Sequence, residues 1–109
     1  MALTRQFKDT VQARLRGDAK FRAAMLKEGV EALLSGDMDT GRMILRDYVN
    51  ATIGFRRLSE LTGRPAKSLM RMFGPSGNPE ARNLFDVIGC LQADEGVTFE
   101  VRAVRRRAA

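Results

Sequence analysis

Read from its first residue, the chain repeats its apolar positions with the period of a helix over most of its length and with the period of a strand only near its end. Leu3, Phe7, Val11 and Leu15 recur every four residues, which places them on one stripe of a helix from Leu3 to Arg16. Gly17 ends that pattern, and Asp18 offers a short carboxylate to cap the free N–H groups of the helix that follows. The second helix carries Phe21, Met25, Leu26, Val30, Leu33 and Leu34 inward and stops at Ser35-Gly36. Asp37, or Asp39 two residues on, opens a third with Met43, Ile44, Tyr48, Val49 and Ile53 as its inward side.

Beyond residue 53 the elements shorten. Phe55 to Thr62 reads as a short helix with Leu58 and Leu61 inward, Gly63 follows, and Pro65 to Phe73 reads as a second with Leu69, Met72 and Phe73 apolar. Proline fits the first helical position at Pro65, where the N–H would be unpaired in any case. Gly74-Pro75-Ser76-Gly77-Asn78-Pro79 is a dense turn cluster. A closing helix is predicted from about Pro79 to Gln92, capped by Asn78 and burying Leu84, Phe85, Ile88 and Leu91. After Asp94-Glu95-Gly96, Val97, Phe99 and Val101 alternate with Thr98, Glu100 and Arg102, the two-residue repeat of a short strand. With no second strand evident, that strand would need a twofold copy or another protein to pair with. The tail Arg105-Arg106-Arg107-Ala108-Ala109 is expected to be flexible. The predicted fold is thus all-α, a bundle of five to six helices with a short C-terminal β-strand. It forms one domain over 1–109, divided into N-terminal helices (1–53), two short helices and a closing helix (54–93), and a strand with a basic tail (94–109).

Composition narrows the function. At 109 residues there is room for one domain with a modest core. No apolar run approaches the ~20 residues of a membrane span, and Arg5, Lys8 and Asp9 interrupt any secretion signal, so a cytoplasmic protein without a membrane partner is expected. The single Cys90, in the apolar run Val87-Ile88-Gly89-Cys90-Leu91, reads as a buried structural thiol and excludes an internal disulfide. Histidine is absent, which removes the usual general base and the common zinc ligand. No paired-carboxylate or glycine-loop motif replaces it, so neither an enzyme nor a metal or other cofactor is expected. The net charge of +6 is unevenly spread: residues 1–27 carry +5, 28–53 carry −3, 54–82 carry +4, 83–101 carry −4 and 102–109 carry +4. The basic blocks suit a phosphate backbone. Of the six methionines, Met25, Met38, Met43, Met70 and Met72 read chiefly as core filler, Met70 excepted because its spacing turns it outward.

Two short helices joined by a glycine turn inside a helical bundle are the arrangement of a helix-turn-helix. Gly63 permits the sharp bend, and Leu58, Leu61, Leu69 and Met72 hold the pair together. The outward face of the second helix then presents Arg64, Ala66, Lys67, Ser68, Met70 and Arg71 to a major groove.

The run from Leu58 to Met72, Leu-Ser-Glu-Leu-Thr-Gly-Arg-Pro-Ala-Lys-Ser-Leu-Met-Arg-Met, followed by Gly77-Asn78-Pro79, resembles the Cro/C1 (Xre) helix-turn-helix family. Over roughly residues 18–93 the chain is similar to the addiction-module antidote branch, the HigA-like antitoxins. The resemblance implies a lambda-repressor-like helix-turn-helix that binds its own double-stranded operator DNA as a homodimer, and a RelE-like ribonuclease toxin as partner. Carried onto this chain, it puts Pro65, Ala66, Lys67, Ser68 and Arg71 nearest the bases, with Gly63 and Pro65 forming the turn. Lys67 and Arg71 are the leading candidates for base edges, with Ser68 for a base or a phosphate and Met70 for a thymine methyl. Arg56, Arg57 and Arg64 are candidates for the DNA backbone. The chain departs from the family pattern at Arg64, where a small apolar residue is usual, at Phe55, where a glutamine is frequent, and at Ser59, where alanine is usual. The alternative is a helical interaction module that docks a protein partner through residues 1–53 without specific DNA binding.

Overall fold

Short carboxylates open two of the helices. The Asp18 side chain accepts a hydrogen bond from the Phe21 N–H at 3.1 Å, and Asp37 accepts from Thr40 N–H at the same distance. The computed structural model describes residues 2–107, with side chains from Asp9 onward, so the predicted contributions of Leu3, Phe7, Ala108 and Ala109 lie outside the described residues. Six α-helices follow in order: α1 (Ala2–Gly17), α2 (Ala19–Leu34), α3 (Met38–Ala51), α4 (Gly54–Thr62), α5 (Ala66–Met72) and α6 (Ala81–Glu95). The all-α class follows directly from this list. No helix among the described residues is long and apolar enough to cross a membrane.

One cluster of buried side chains joins all the helices after α1: Leu26 from α2, Leu45, Tyr48 and Val49 from α3, Phe55 and Leu58 from α4, Leu69 and Met72 from α5, and Leu84, Val87, Ile88 and Leu91 from α6. Each fully buried leucine removes enough apolar surface from water to contribute about 2 kcal/mol. The helix α1 buries Leu15 and lays Arg14 over the ring of Phe21, 4.7 Å from its centroid.

Several predicted inward positions are exposed instead. Leu34 at the end of α2 and Met38 and Met43 on α3 have much of their surface in water, and Leu61 at the end of α4 is also exposed. Phe85 is 63% exposed. The buried stripe of α6 runs Leu84, Val87, Ile88 and Leu91, a strict i, i+3, i+4, i+7 set that turns Phe85 to its flank. Cys90, expected to be buried, is only half-buried at the core's edge, and desolvation pushes its thiol above the ordinary range. The helix α6 begins at Ala81 behind an extended Glu80, so Asn78 and Pro79 belong to the preceding loop rather than to a cap and first turn. Pro65 likewise sits one position outside α5.

No strand forms among the described residues, and 97–107 lack regular structure. A single segment with period-two alternation has no ladder partner in an otherwise helical chain. The Gln92 side chain takes up the Phe99 N–H at 2.8 Å, and Phe99 settles against the core.

A buried polar network closes the bundle. The Glu95 carboxylate, 6% exposed, accepts from Arg22 Nε at 3.0 Å and from the Tyr48 hydroxyl at 2.6 Å. Arg22 Nη1 also donates to the Leu15 and Arg16 carbonyls at 2.9 and 3.1 Å, closing the C-terminus of α1 with a cation. Burial first, and the Glu95 charge second, resist the phenolate and hold the Tyr48 proton far above the ordinary tyrosine value of 10.0.

Two outcomes follow. Glu95→Ala strands a guanidinium and a hydroxyl and is expected to cost about 3 kcal/mol in urea denaturation. Tyr48 is the sole tyrosine, so tyrosinate absorbance reports on it alone. Its raised folded-state value contributes stability that is complete below the unfolded value near 10.0 and is lost as pH rises beyond it. Tyrosinate should therefore appear together with loss of helical circular dichroism in an alkaline titration, not ahead of it.

Candidate nucleic-acid interface

The turn between α4 and α5 is built from small polar side chains around one left-handed residue. Gly63 has φ +72°, and its N–H donates to the Ser59 carbonyl at 2.9 Å. A residue with a Cβ at this φ would be strained by roughly 1–2 kcal/mol. Thr62 Oγ1 donates to the Leu58 carbonyl at 2.8 Å and accepts from the Arg64 N–H at 3.3 Å. Ser59 Oγ donates to the Arg64 carbonyl, so this serine serves the turn. Phe55 is buried and meets the Phe73 ring at 6.2 Å between centroids, tying the start of α4 to the end of α5.

Pro65 has φ −59° and ψ 138°, and its carbonyl accepts from the Leu69 N–H at 3.1 Å as α5 begins. On α5 the inward Leu69 and Met72 are buried, whereas Lys67, Ser68, Met70 and Arg71 are exposed and Ala66 is half-buried. The predicted base-contacting residues therefore share one solvent-facing side of a single short helix. Met70 is 53% exposed.

The backbone candidates separate. Arg56 is exposed on α4. Arg57 is also exposed but forms an i, i+3 pair with Glu60 at 3.1 Å, a surface contact of little energetic weight that a phosphate could displace. Arg64 reaches across to α6, where its Nη2 lies 2.6 Å from the Asp86 carboxylate, and its Nε is buried without an acceptor. The Arg64–Asp86 ion pair thus fixes the turn to α6.

Arg64, Ser68 and Arg71 form one side of a groove of about 470 Å³ whose other side is the 76–80 loop and Asn83. The loop is held from behind. Arg42 on α3, only 8% exposed, donates to the carbonyls of Met38, Gly74 and Gly77 and to the Asp39 carboxylate. Gly77 lies so close beneath α5 that a Cβ there would stand 2.4 and 2.5 Å from the Arg71 and Met72 carbonyl oxygens. Sequence reading missed both Arg42 and Asp86. The signal for Arg42 is its spacing, since positions 42, 45 and 49 fall on one helical face whose other members are core residues.

Comparison of the chain with protein-family models, curated proteins and solved structures finds no match in any of the three.

Arg42→Met keeps the side chain's length but takes the guanidinium away from the Gly77 carbonyl and leaves the Gly74 carbonyl with the Gly77 N–H alone. A loss of about 2 kcal/mol, a fall in melting temperature on the order of 10 °C, is expected by calorimetry. Amide exchange should quicken first in 74–77.

Proposed function

We propose that this chain is a sequence-specific DNA-binding transcription regulator that reads double-stranded operator DNA with α5 and binds it as a homodimer. In the same reading it is the antitoxin and autorepressor of a toxin–antitoxin module, with a RelE-like toxin as partner. The observation that carries the DNA-binding part is the outward side of α5: Lys67, Ser68, Met70 and Arg71 stand together in solvent behind a left-handed Gly63 turn. A helix presented in this way fits a major groove, where arginine can fork onto guanine and a methionine can cover a thymine methyl. Arg71 is the stronger base reader, because lysine contributes a point charge rather than a planar fork. Arg56 and Arg57 flank this side on α4 and supply register through the phosphates. The antitoxin part rests on the resemblance of the 58–79 run, and the neighbouring open reading frame is where it is checked.

The exposed Leu34, Met38 and Met43 near the α2–α3 turn favour a second reading, in which residues 1–53 dock a protein partner. The two readings part on one variant pair. In a gel-shift titration on the upstream region, Arg71→Ala should weaken specific binding roughly 5- to 150-fold and relax preference at one base position. Arg56→Ala should weaken all sequences alike and lower the salt slope by about one. Loss of no binding in Lys67→Ala/Arg71→Ala, or binding without salt sensitivity, overturns the DNA reading.

A further inference from the structure

The C-terminal segment carries a pattern that the isolated chain does not use. Past Val97, whose N–H donates to the Gln92 carbonyl at 3.0 Å, residues 98–107 make no backbone–backbone hydrogen bond among the described residues. The odd positions Val97, Phe99, Val101 and Ala103 are all apolar, and the even positions Thr98, Glu100 and Arg102 are polar. Val97 and Phe99 are half-buried, Phe99 against the core, but Val101 is 82% and Val104 75% exposed. An apolar face of Val97, Phe99, Val101 and Ala103 therefore starts on the core and runs off it, with Val104 on the other face. Apart from the Phe99 N–H, which donates to the Gln92 side chain, the amides of 98–107 form no hydrogen bond among the described residues, a poor arrangement for a chain acting alone.

We infer that residues 98–104 pair with the same segment of a second copy of this chain, as an antiparallel two-stranded ribbon whose twofold axis passes through Val101. The register follows from the sequence on either side of that residue. About Val101, Glu100 stands opposite Arg102 of the second copy and Arg102 opposite its Glu100. Phe99 meets Ala103, Thr98 meets Val104, and Val101 meets itself. Opposed charges and large-to-small apolar pairs are the combinations that stabilise a ladder. An axis through Glu100 or through Arg102 would set two like charges face to face, and any register shifted by one residue would lay an apolar face on a polar one. The apolar faces of both strands then continue the surfaces already begun by Val97 and Phe99.

A helical protein offers no other strand to receive this segment, which is why the occupant is a second copy. A two-stranded ribbon is marginal by itself, so the pair forms weakly in free solution and is reinforced when both copies sit on one DNA molecule. The inference deepens the homodimer reading above by naming the surface that pairs, and rests on that reading only for the existence of a dimer.

The test uses the full chain without DNA, in a Cys90→Ser background that removes the native thiol. Directly opposed residues of an antiparallel pair have Cα atoms roughly 4.5–5.5 Å apart, inside the reach of a disulfide. Val101→Cys should therefore cross-link into dimers when diamide is added, and Ala103→Cys, opposite Phe99 instead of itself, should not. By sedimentation, Glu100→Arg should weaken dimerisation about ten-fold, and Glu100→Arg with Arg102→Glu should restore it. Equal cross-linking at both positions, a charge exchange that fails to rescue, or a chain that stays monomeric at every concentration overturns the ribbon. Binding to a single operator half-site is read separately: if it is absent while the dimer behaves as expected, only the DNA reading falls.

Discussion

A guanidinium taken out of water has five N–H bonds to satisfy, and Arg42 donates to three backbone carbonyls from two separate parts of the chain and to the Asp39 carboxylate. Met38 lies one turn back on α3, while Gly74 and Gly77 lie in the loop after α5. The fixed shape of the group makes it a gauge: the loop can sit at only one distance from α3 if both glycine carbonyls are to be reached. Because Gly77 packs directly under the last carbonyls of α5, that distance also sets where α5 ends. A seven-residue helix is far below the ~12–15 residues at which helices persist alone in water, so its direction has to come from its surroundings. At its other end the surroundings are Ser59, Thr62 and the Arg64–Asp86 pair. The helix α5 is thus clamped at both ends, and neither clamp uses the side chain of Lys67 or Arg71.

Charge is distributed in keeping with that division of labour. Arg22, Arg42 and Arg64 each face a carboxylate and at least one backbone carbonyl or a second helix, and their charge is absorbed by the fold. Lys67, Arg71 and Arg56 lie in solvent. The +4 block over 54–82 therefore overstates by one the charge that faces outward near α5, since Arg64 is held by Asp86 from the neighbouring acidic block.

Helix existence was legible from the 3.6-residue period, and so were the carboxylate starts at Asp18 and Asp37 and the bend at Gly63, because each depends on a residue's own backbone chemistry. Sidedness was less legible. Met43, Leu61 and Phe85 are apolar and lie beside the buried stripe, and periodicity alone cannot separate the middle of a stripe from its margin. The start of α6 was misread because Asn78-Pro79 has the local form of a cap and first turn, whereas the position of the loop is decided by Arg42, more than thirty residues away in sequence. Buried arginines escape sequence reading for the same reason: composition marks them as surface residues, and only the partner carbonyls, supplied by distant segments, make burial tolerable. The outward side of α5 was legible for Lys67, Ser68, Met70 and Arg71, since within a single short helix the spacing of Leu69 and Met72 fixes the opposite face, whereas Ala66 is half-buried and Arg64 turns to Asp86.

The shared core bears on how the two functional readings relate. The side chains that bury α4 and α5 are packed against Leu45, Tyr48 and Val49 of α3, and the loop beneath α5 hangs on Arg42 of that same helix. Residues 1–53 are therefore not an appendage to a helix-turn-helix that could stand without them. Met43, exposed one position after Arg42, lines a groove with Phe73 and Pro75, so a protein seated near the α2–α3 turn would touch the residues that position α5's far end. The segment that would dock a partner and the helix proposed to read DNA therefore belong to one packed body, and a description that assigns them to separate modules contradicts the packing.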